Sequence, residues 1–174
     1  MKDNSENICI KCGFCCDGTM FNYAIITENE PLETGYSFET SLNKQRSFRL
    51  PCKYLQDKVC SIYNQRPYTV CESFRCKLLR SVISDNVSYT DAIKTINEVL
   101  ALKMKIELQL LEHHPENAGD ALPGIMKEFK AHFGSTVSDI EFRKKYGRIL
   151  LDFFLLNKIL NKSFITGHKK KGLS

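Results

Sequence analysis

The sequence predicts an α+β protein in which a small, irregular, cysteine-rich metal-binding lobe with short strands precedes a helical C-terminal half. Two observations lead there. All eight cysteines fall between Cys9 and Cys76, in a stretch broken by Asp17-Gly18, Glu30-Pro31, Gly35, Pro51 and Pro67, residues that favour turns over long helices. Beyond Cys76 there is no cysteine, and apolar side chains recur every three or four positions, the period of helices with one face in a core. The expected organisation is a cysteine module over 1–80, a helical region over 81–165 packed on it as one compact unit, and a basic tail over 166–174.

Within the first part, Thr19 to Thr27 carries Met20, Tyr23, Ile25 and Ile26, enough β-branched and aromatic character for a strand, and Ser47 to Leu50 reads as a second. Residues 28–46 are polar and read as a connection. Lys53 to Val59, between Cys52 and Cys60, has the length of a hairpin that would present both sulfurs to one side.

From about Cys71 the pattern turns helical, with Phe74, Leu78, Leu79 and Val82 at three-to-four spacing. A longer helix follows, capped by Ser88 or Thr90. Its predicted apolar face is Ile93, Ile96, Leu100, Met104, Leu108 and Leu111, up to His113-His114-Pro115. Leu122-Pro123 opens a shorter helix through Ile125, Met126, Phe129 and Phe133 that stops at Gly134. Ser138 and Glu141 have capping-box spacing and introduce a last helix bearing Phe142, Ile149, Leu150, Phe153, Phe154, Leu156 and Ile159. The run His168-Lys169-Lys170-Lys171 reads as a solvated terminus.

An apolar content of 43% and a charged content of 26% are those of an ordinary folded protein. The formal charge of +5 counts thiols as neutral, so it gives no support to nucleic-acid binding once thiolates are allowed for. No stretch has the ~18 consecutive apolar residues of a membrane span. The polar start Met-Lys-Asp-Asn-Ser-Glu-Asn leaves no apolar signal core before Cys9, so a cytoplasmic location is expected. In a reducing compartment eight cysteines point to metal ligation rather than to disulfides.

The first group, Cys9, Cys12, Cys15 and Cys16, places four thiols within eight residues, with Gly13 to permit a tight bend. A two-residue spacing lets two sulfurs reach one metal at ~2.3 Å. Cys15 and Cys16 are adjacent, and neighbouring side chains in extended backbone point apart. Either they serve different sites, or one completes the first group while the other packs inward. The second group is Cys52, Cys60, Cys71 and Cys76, with Cys71 and Cys76 near a helix start, where amides and the helix dipole favour thiolate. Eight sulfurs suffice for two four-thiolate sites holding iron-sulfur clusters or Zn²⁺, or for one cluster with several structural or reactive cysteines left over. The Cys-x2-Cys-x2-Cys run is partly ferredoxin-like, although Cys16 follows at once and no Cys-Pro closes it. Asp17 is a turn residue that could also accept amide hydrogens beside the sulfurs. Arg66, before Pro67, could offset thiolate charge. Tyr63 and Phe74 read as packing, and the histidines as surface groups.

The segments Cys9-Ile-Lys-Cys12-Gly13-Phe-Cys15-Cys16-Asp17-Gly18-Thr19, Pro51-Cys52-x-Tyr-Leu55, Cys60-Ser-Ile62-Tyr63-Asn-x-Arg66-Pro67 and Cys71-x2-Phe74-x-Cys76 resemble the CxxCxxCC cysteine-cluster family of bacteria and archaea. The resemblance covers about Cys9 to Leu79 and implies a zinc- or iron-chelating module. A similar cysteine module occurs in flagellin lysine N-methylases, but this chain has no glycine-rich nucleotide loop of the usual methyltransferase kind. The sequence contains no Ser-His-Asp set, no His-Glu-x-x-His and no phosphate loop, so no catalytic residue is assigned. The expected function is metal binding through the eight cysteines, with an iron-sulfur redox enzyme as the alternative. The face around Phe153, Phe154 and Leu156 is a candidate for a protein partner.

Overall fold

A computed structural model of the chain describes residues 4–30, 38–40, 46–65, 68–113, 122 and 140–165. It combines helices with two small antiparallel sheets, so the expected α+β class holds, and the C-terminal half is helical. Arg66, His114, His132, the basic tail and nearly all of the helix expected after Leu122 lie outside the described residues, as does Ser138.

The cysteine segment is more regular than its turn residues suggest. It begins with helix α1, Asn4–Cys12, where the sequence predicts loops. Ile8 and Cys12, four residues apart, are both buried, so a single helical face faces inward. The helix ends at Gly13, whose φ of 65° lies in the left-handed region. The Gly13 amide donates to the Cys9 carbonyl at 3.1 Å, the bond of a glycine-terminated helix.

Strands β1 (Tyr23–Ile25), β2 (Phe38–Thr40) and β3 (Arg46–Arg49) form a sheet in the order β1-β3-β2. Ala24 and Phe38 both pair with Phe48. The expected strand within Thr19–Thr27 is thus shorter, the one near Ser47 starts one residue earlier, and a third lies inside the polar connection. Strands β4 (Leu55–Gln56) and β5 (Val59–Cys60) make the hairpin expected between Cys52 and Cys60. Its two turn residues, Asp57 and Lys58, both have positive φ, as a tight two-residue hairpin requires.

The helix expected from Cys71 is two helices, α2 (Thr69–Ser73) and α3 (Lys77–Ile83), because Phe74 is extended and interrupts the first. Helix α4 runs Tyr89–His113 and α5 runs Ile140–Ser163, and the two pack together. Ser88 caps α4, its hydroxyl accepting from the Asp91 amide at 3.1 Å and donating to the Asp91 carboxylate at 2.6 Å.

The buried face of α4 is rotated from the expected one. Ala92, Ile96, Val99, Ile106 and Leu110 are buried, whereas Met104, Leu108 and Leu111 are 58%, 59% and 41% exposed. Lys103 interrupts the true stripe with a charge, and this diverts a reading based on apolar periodicity. On α5, Tyr146, Ile149, Phe153, Leu156 and Leu160 are buried, while Phe154 is 64% exposed.

Two apolar clusters result. The larger joins Ile8, Phe14 and Met20 of the cysteine segment to Leu78, Leu79 and the inner faces of α4 and α5. The smaller contains Ile26, Phe48, Leu50 and Tyr68 and lies under the three-stranded sheet. Among the described residues no helix is long and apolar enough to cross a membrane.

Candidate metal centre

Each cysteine is held by a small, specific piece of backbone. Cys9 and Cys12 occupy the last turn of α1 and are three residues apart, so both sulfurs project from one side of the helix. After the bend at Gly13, the Cys16 and Asp17 amides donate to the Gly13 carbonyl at 2.8 and 2.9 Å, which folds Cys15 and Cys16 back beside the helix end. Gly13 is also where the hairpin presses in: a Cβ there would lie 3.4 Å from the Lys58 carbonyl oxygen. The Cys52 amide donates to the Cys16 carbonyl at 2.7 Å, joining the two cysteine stretches directly. Cys60 ends β5 opposite Leu55. Cys71 lies on α2, whose first amide, that of Thr69, donates to the Glu30 carboxylate, as does the Thr27 amide. These bonds outweigh burial and hold the Glu30 carboxyl down to about 2. Cys76 caps α3, and its sulfur accepts from the Leu79 amide at 3.4 Å.

All eight cysteines line one cavity of about 530 Å³. None is in a disulfide. Their mutual electrostatics divide them. Burial pushes the Cys12 and Cys15 thiols far up, and the neighbours that add to the effect on Cys12 are Cys76 and Cys9. On Cys15 they are Cys12, Cys76, its chain neighbour Cys16, and Cys9. Burial likewise pushes Cys16 up to about 12, but its sulfur neighbours are Cys52, Cys71 and Cys60. Cys71, raised by burial, again has Cys52 and Cys60 beside it. The sulfurs therefore form two quartets, Cys9, Cys12, Cys15 and Cys76 in one and Cys16, Cys52, Cys60 and Cys71 in the other. Apolar packing follows the same division: Cys9, Cys12, Cys15 and Cys76 belong to or touch the larger core, and Cys52 touches the smaller.

Of the two arrangements open for the adjacent pair, Cys15 and Cys16 sit in different quartets, and Cys76 joins the N-terminal group across the sequence. The expectation that a helix start would favour thiolate at Cys76 is reversed. Burial raises that thiol and outweighs the Leu79 and Leu78 amides and Arg80.

Asp17 lies beside both quartets, adding to the upward shifts of Cys12 and Cys16. Its carboxylate accepts from the Thr19 amide at 2.8 Å and from Lys103 Nζ at 2.9 Å. Lys103, 14% exposed, also reaches Glu107 at 3.1 Å. Burial would lower the Lys103 pKa, but the Asp17 and Glu107 carboxylates together offset it and the pKa is raised. Lys103 was missed by sequence reasoning. So was Phe164, whose ring meets that of Phe14 edge-on at 5.5 Å and which lines the cavity. Its carbonyl accepts from the Lys77 amide at 2.9 Å, so the end of α5 fixes the start of α3 beside Cys76. Phe74, read as packing, is 37% exposed and meets Phe21 edge-on at 5.5 Å.

The donor set fits a metal group: two sets of four thiols, none of them in a disulfide, around a shared cavity. Among the described residues no three metal-ligating side chains are already gathered about one point, so uptake of a single ion would have to draw the sulfurs inward.

A family model for CxxCxxCC, described as a putative zinc- or iron-chelating domain, matches residues 8–97, just over half of the chain. The chain belongs to the CxxCxxCC family. The matched span takes in both quartets and extends past Leu79 into α4, so the family unit includes Ser88 and the first turns of the long helix. Metal binding, of zinc or iron, is the property that the family brings. No curated protein and no solved structure matches the chain.

Proposed function

We propose that this chain binds metal as two four-thiolate centres, one on Cys9, Cys12, Cys15 and Cys76 and one on Cys16, Cys52, Cys60 and Cys71, with iron-sulfur clusters as the groups bound. The observation that carries the reading is the grouping of eight cysteines, none in a disulfide, into two quartets around a single cavity. A single zinc ion gathers four sulfurs at ~2.3 Å, whereas a four-iron cube holds its thiolates further apart. The partly ferredoxin-like run Cys9-x2-Cys12-x2-Cys15 favours the cluster.

When bound, such a cluster supplies one-electron exchange. The chain's own residues supply the enclosure: Phe14 and Phe164 exclude water, and the Lys103–Asp17 pair holds the loop that presents Cys15 and Cys16. Eight cysteines with no disulfide among them suit a reducing compartment. The proposal is metal binding without an assigned reaction.

The test is preparation without oxygen, followed by visible absorption and measurement of iron, inorganic sulfide and zinc per chain. The expected protein is coloured and holds iron and sulfide in equal amounts at two centres per chain. A colourless protein with two zinc ions would replace the clusters by zinc while keeping the quartets. A protein that takes up neither metal would overturn the proposal.

A further inference from the structure

We infer that the two quartets are unequal in access: Cys9, Cys12, Cys15 and Cys76 hold their metal as a fixed inner centre, and Cys16, Cys52, Cys60 and Cys71 form an outer exchange site. The ligand class at the outer site is a soft, thiolate-bearing donor or acceptor of metal. This inference rests on the two-centre reading.

The asymmetry lies in what carries the sulfurs. Cys12 is a member of the larger apolar cluster, and Cys9, Cys15 and Cys76 pack against it. Their backbone belongs to α1, the bend that follows it, and the cap of α3. Helix α1 packs against α3 and α4, and the start of α3 is tied to the end of α5 by the Lys77 amide. Moving any of these sulfurs outward would disturb a core that runs the length of the helical half.

Of the outer four, Cys16 shares the bend after α1, but Cys60 and Cys71 have no such backing. Cys60 ends a two-residue strand. Cys71 is the one exposed cysteine among the eight, and it rides on α2, a five-residue helix with no buried residue. The cluster beside this quartet has four buried members. Segments with few buried contacts open locally at a small fraction of the global unfolding free energy, so the bond to Cys71 is the one most readily broken.

Exchange there needs no redox partner. At an outer site loaded with a single ion, an incoming thiol would take the place of Cys71 as ligand and pass its proton to the Cys71 sulfur, with every oxidation state unchanged. The leaving sulfur emerges into solvent, which is not true of Cys12.

The test uses the full chain loaded with cadmium alone, a four-thiolate probe whose sulfur-to-metal absorption reports each ion directly. On adding excess EDTA, two ions should leave in two phases of equal amplitude, with rates at least ~10-fold apart, a modest barrier difference. Cys71→Ser should remove the fast phase and keep the slow ion. Cys9→Ser should remove the slow phase, and it is preferred to replacing the buried Cys12, whose loss endangers folding. Two ions leaving at one rate would overturn the inequality and leave the two-centre reading intact. Loss of the slow phase in Cys71→Ser would reverse the assignment and overturn it as stated. A chain that takes up fewer than two cadmium ions would overturn both.

Discussion

Two glycines make opposite predictions for the same substitution. Gly13 has a φ of 65°, a conformation that costs an L-residue ~1–2 kcal/mol. A Cβ there would also come within 3.4 Å of the Lys58 carbonyl oxygen, a contact at the tight end of the ordinary range and small beside the backbone effect. Gly147 lies within α5, and a Cβ there meets nothing within 4 Å. Its replacement by alanine should recover the helix penalty of glycine, ~0.8–1 kcal/mol. Gly13→Ala is therefore expected to destabilise the chain by ~1–2 kcal/mol and Gly147→Ala to stabilise it by about half as much. For a chain of this size each kcal/mol moves Tm by ~2–4 °C, so the two variants should bracket the parent by several degrees in opposite directions. Thermal and urea unfolding of metal-free protein, followed by helix circular dichroism, measures both. Shifts of the same sign, or a Gly13→Ala protein as stable as the parent, would refute the link drawn here between the bend after α1 and its positive φ.

Metal loading should release protons near neutral pH, because burial keeps thiols such as Cys16, at about 12, protonated until metal displaces the proton. Calorimetry in buffers of different ionisation enthalpy counts them, and affinity should rise steeply with pH. Phe164→Ala should cost ~3–5 kcal/mol as a buried aromatic truncation, and it should also speed metal loss from the Cys76 side of the cavity; a stable protein with unchanged metal retention would contradict the packing on Phe14. Asp152 is 4% exposed and bonded to Lys105 at 2.8 Å and Gln109 at 3.1 Å, bonds that overcome burial and lower its pKa. Its contribution is thus complete above the unfolded value of ~3.9 and lost as pH falls through the lower folded value. Lys105→Met should raise the Asp152 pKa, measured by carbon NMR of the carboxyl, and shift acid unfolding to higher pH. An unchanged acid midpoint would show that Gln109 alone suffices.

What could be read from the sequence was the metal-binding family and the α+β layout with its helical C-terminal half. Cysteine type and count, the hairpin between Cys52 and Cys60, and the helical character after Cys76 are local properties, so they survive without knowledge of the fold. Helix α1 was hidden because a spacing of three fits both a turn and one helical turn, and the polar Asn4 to Asn7 masks the inward face at Ile8 and Cys12. The inner stripe of α4 was hidden by Lys103, whose charge is tolerated there because Asp17, 86 positions earlier, meets it. The division of the sulfurs was out of reach for a related reason: Cys76 joins Cys9 through tertiary packing, and nothing in the spacing of either group announces it.

The contact of Phe14 with Phe164 has a consequence for the order of events during synthesis. The ring that closes over the cysteine motif is encoded 150 positions after it, so at ribosomal speeds of ~5–20 residues per second the motif emerges ~8–30 s before its cover exists. For that interval Cys9 to Cys16 is open to whatever metal or oxidant the nascent chain meets. The inner centre can reach its sealed form only after Phe164 has emerged.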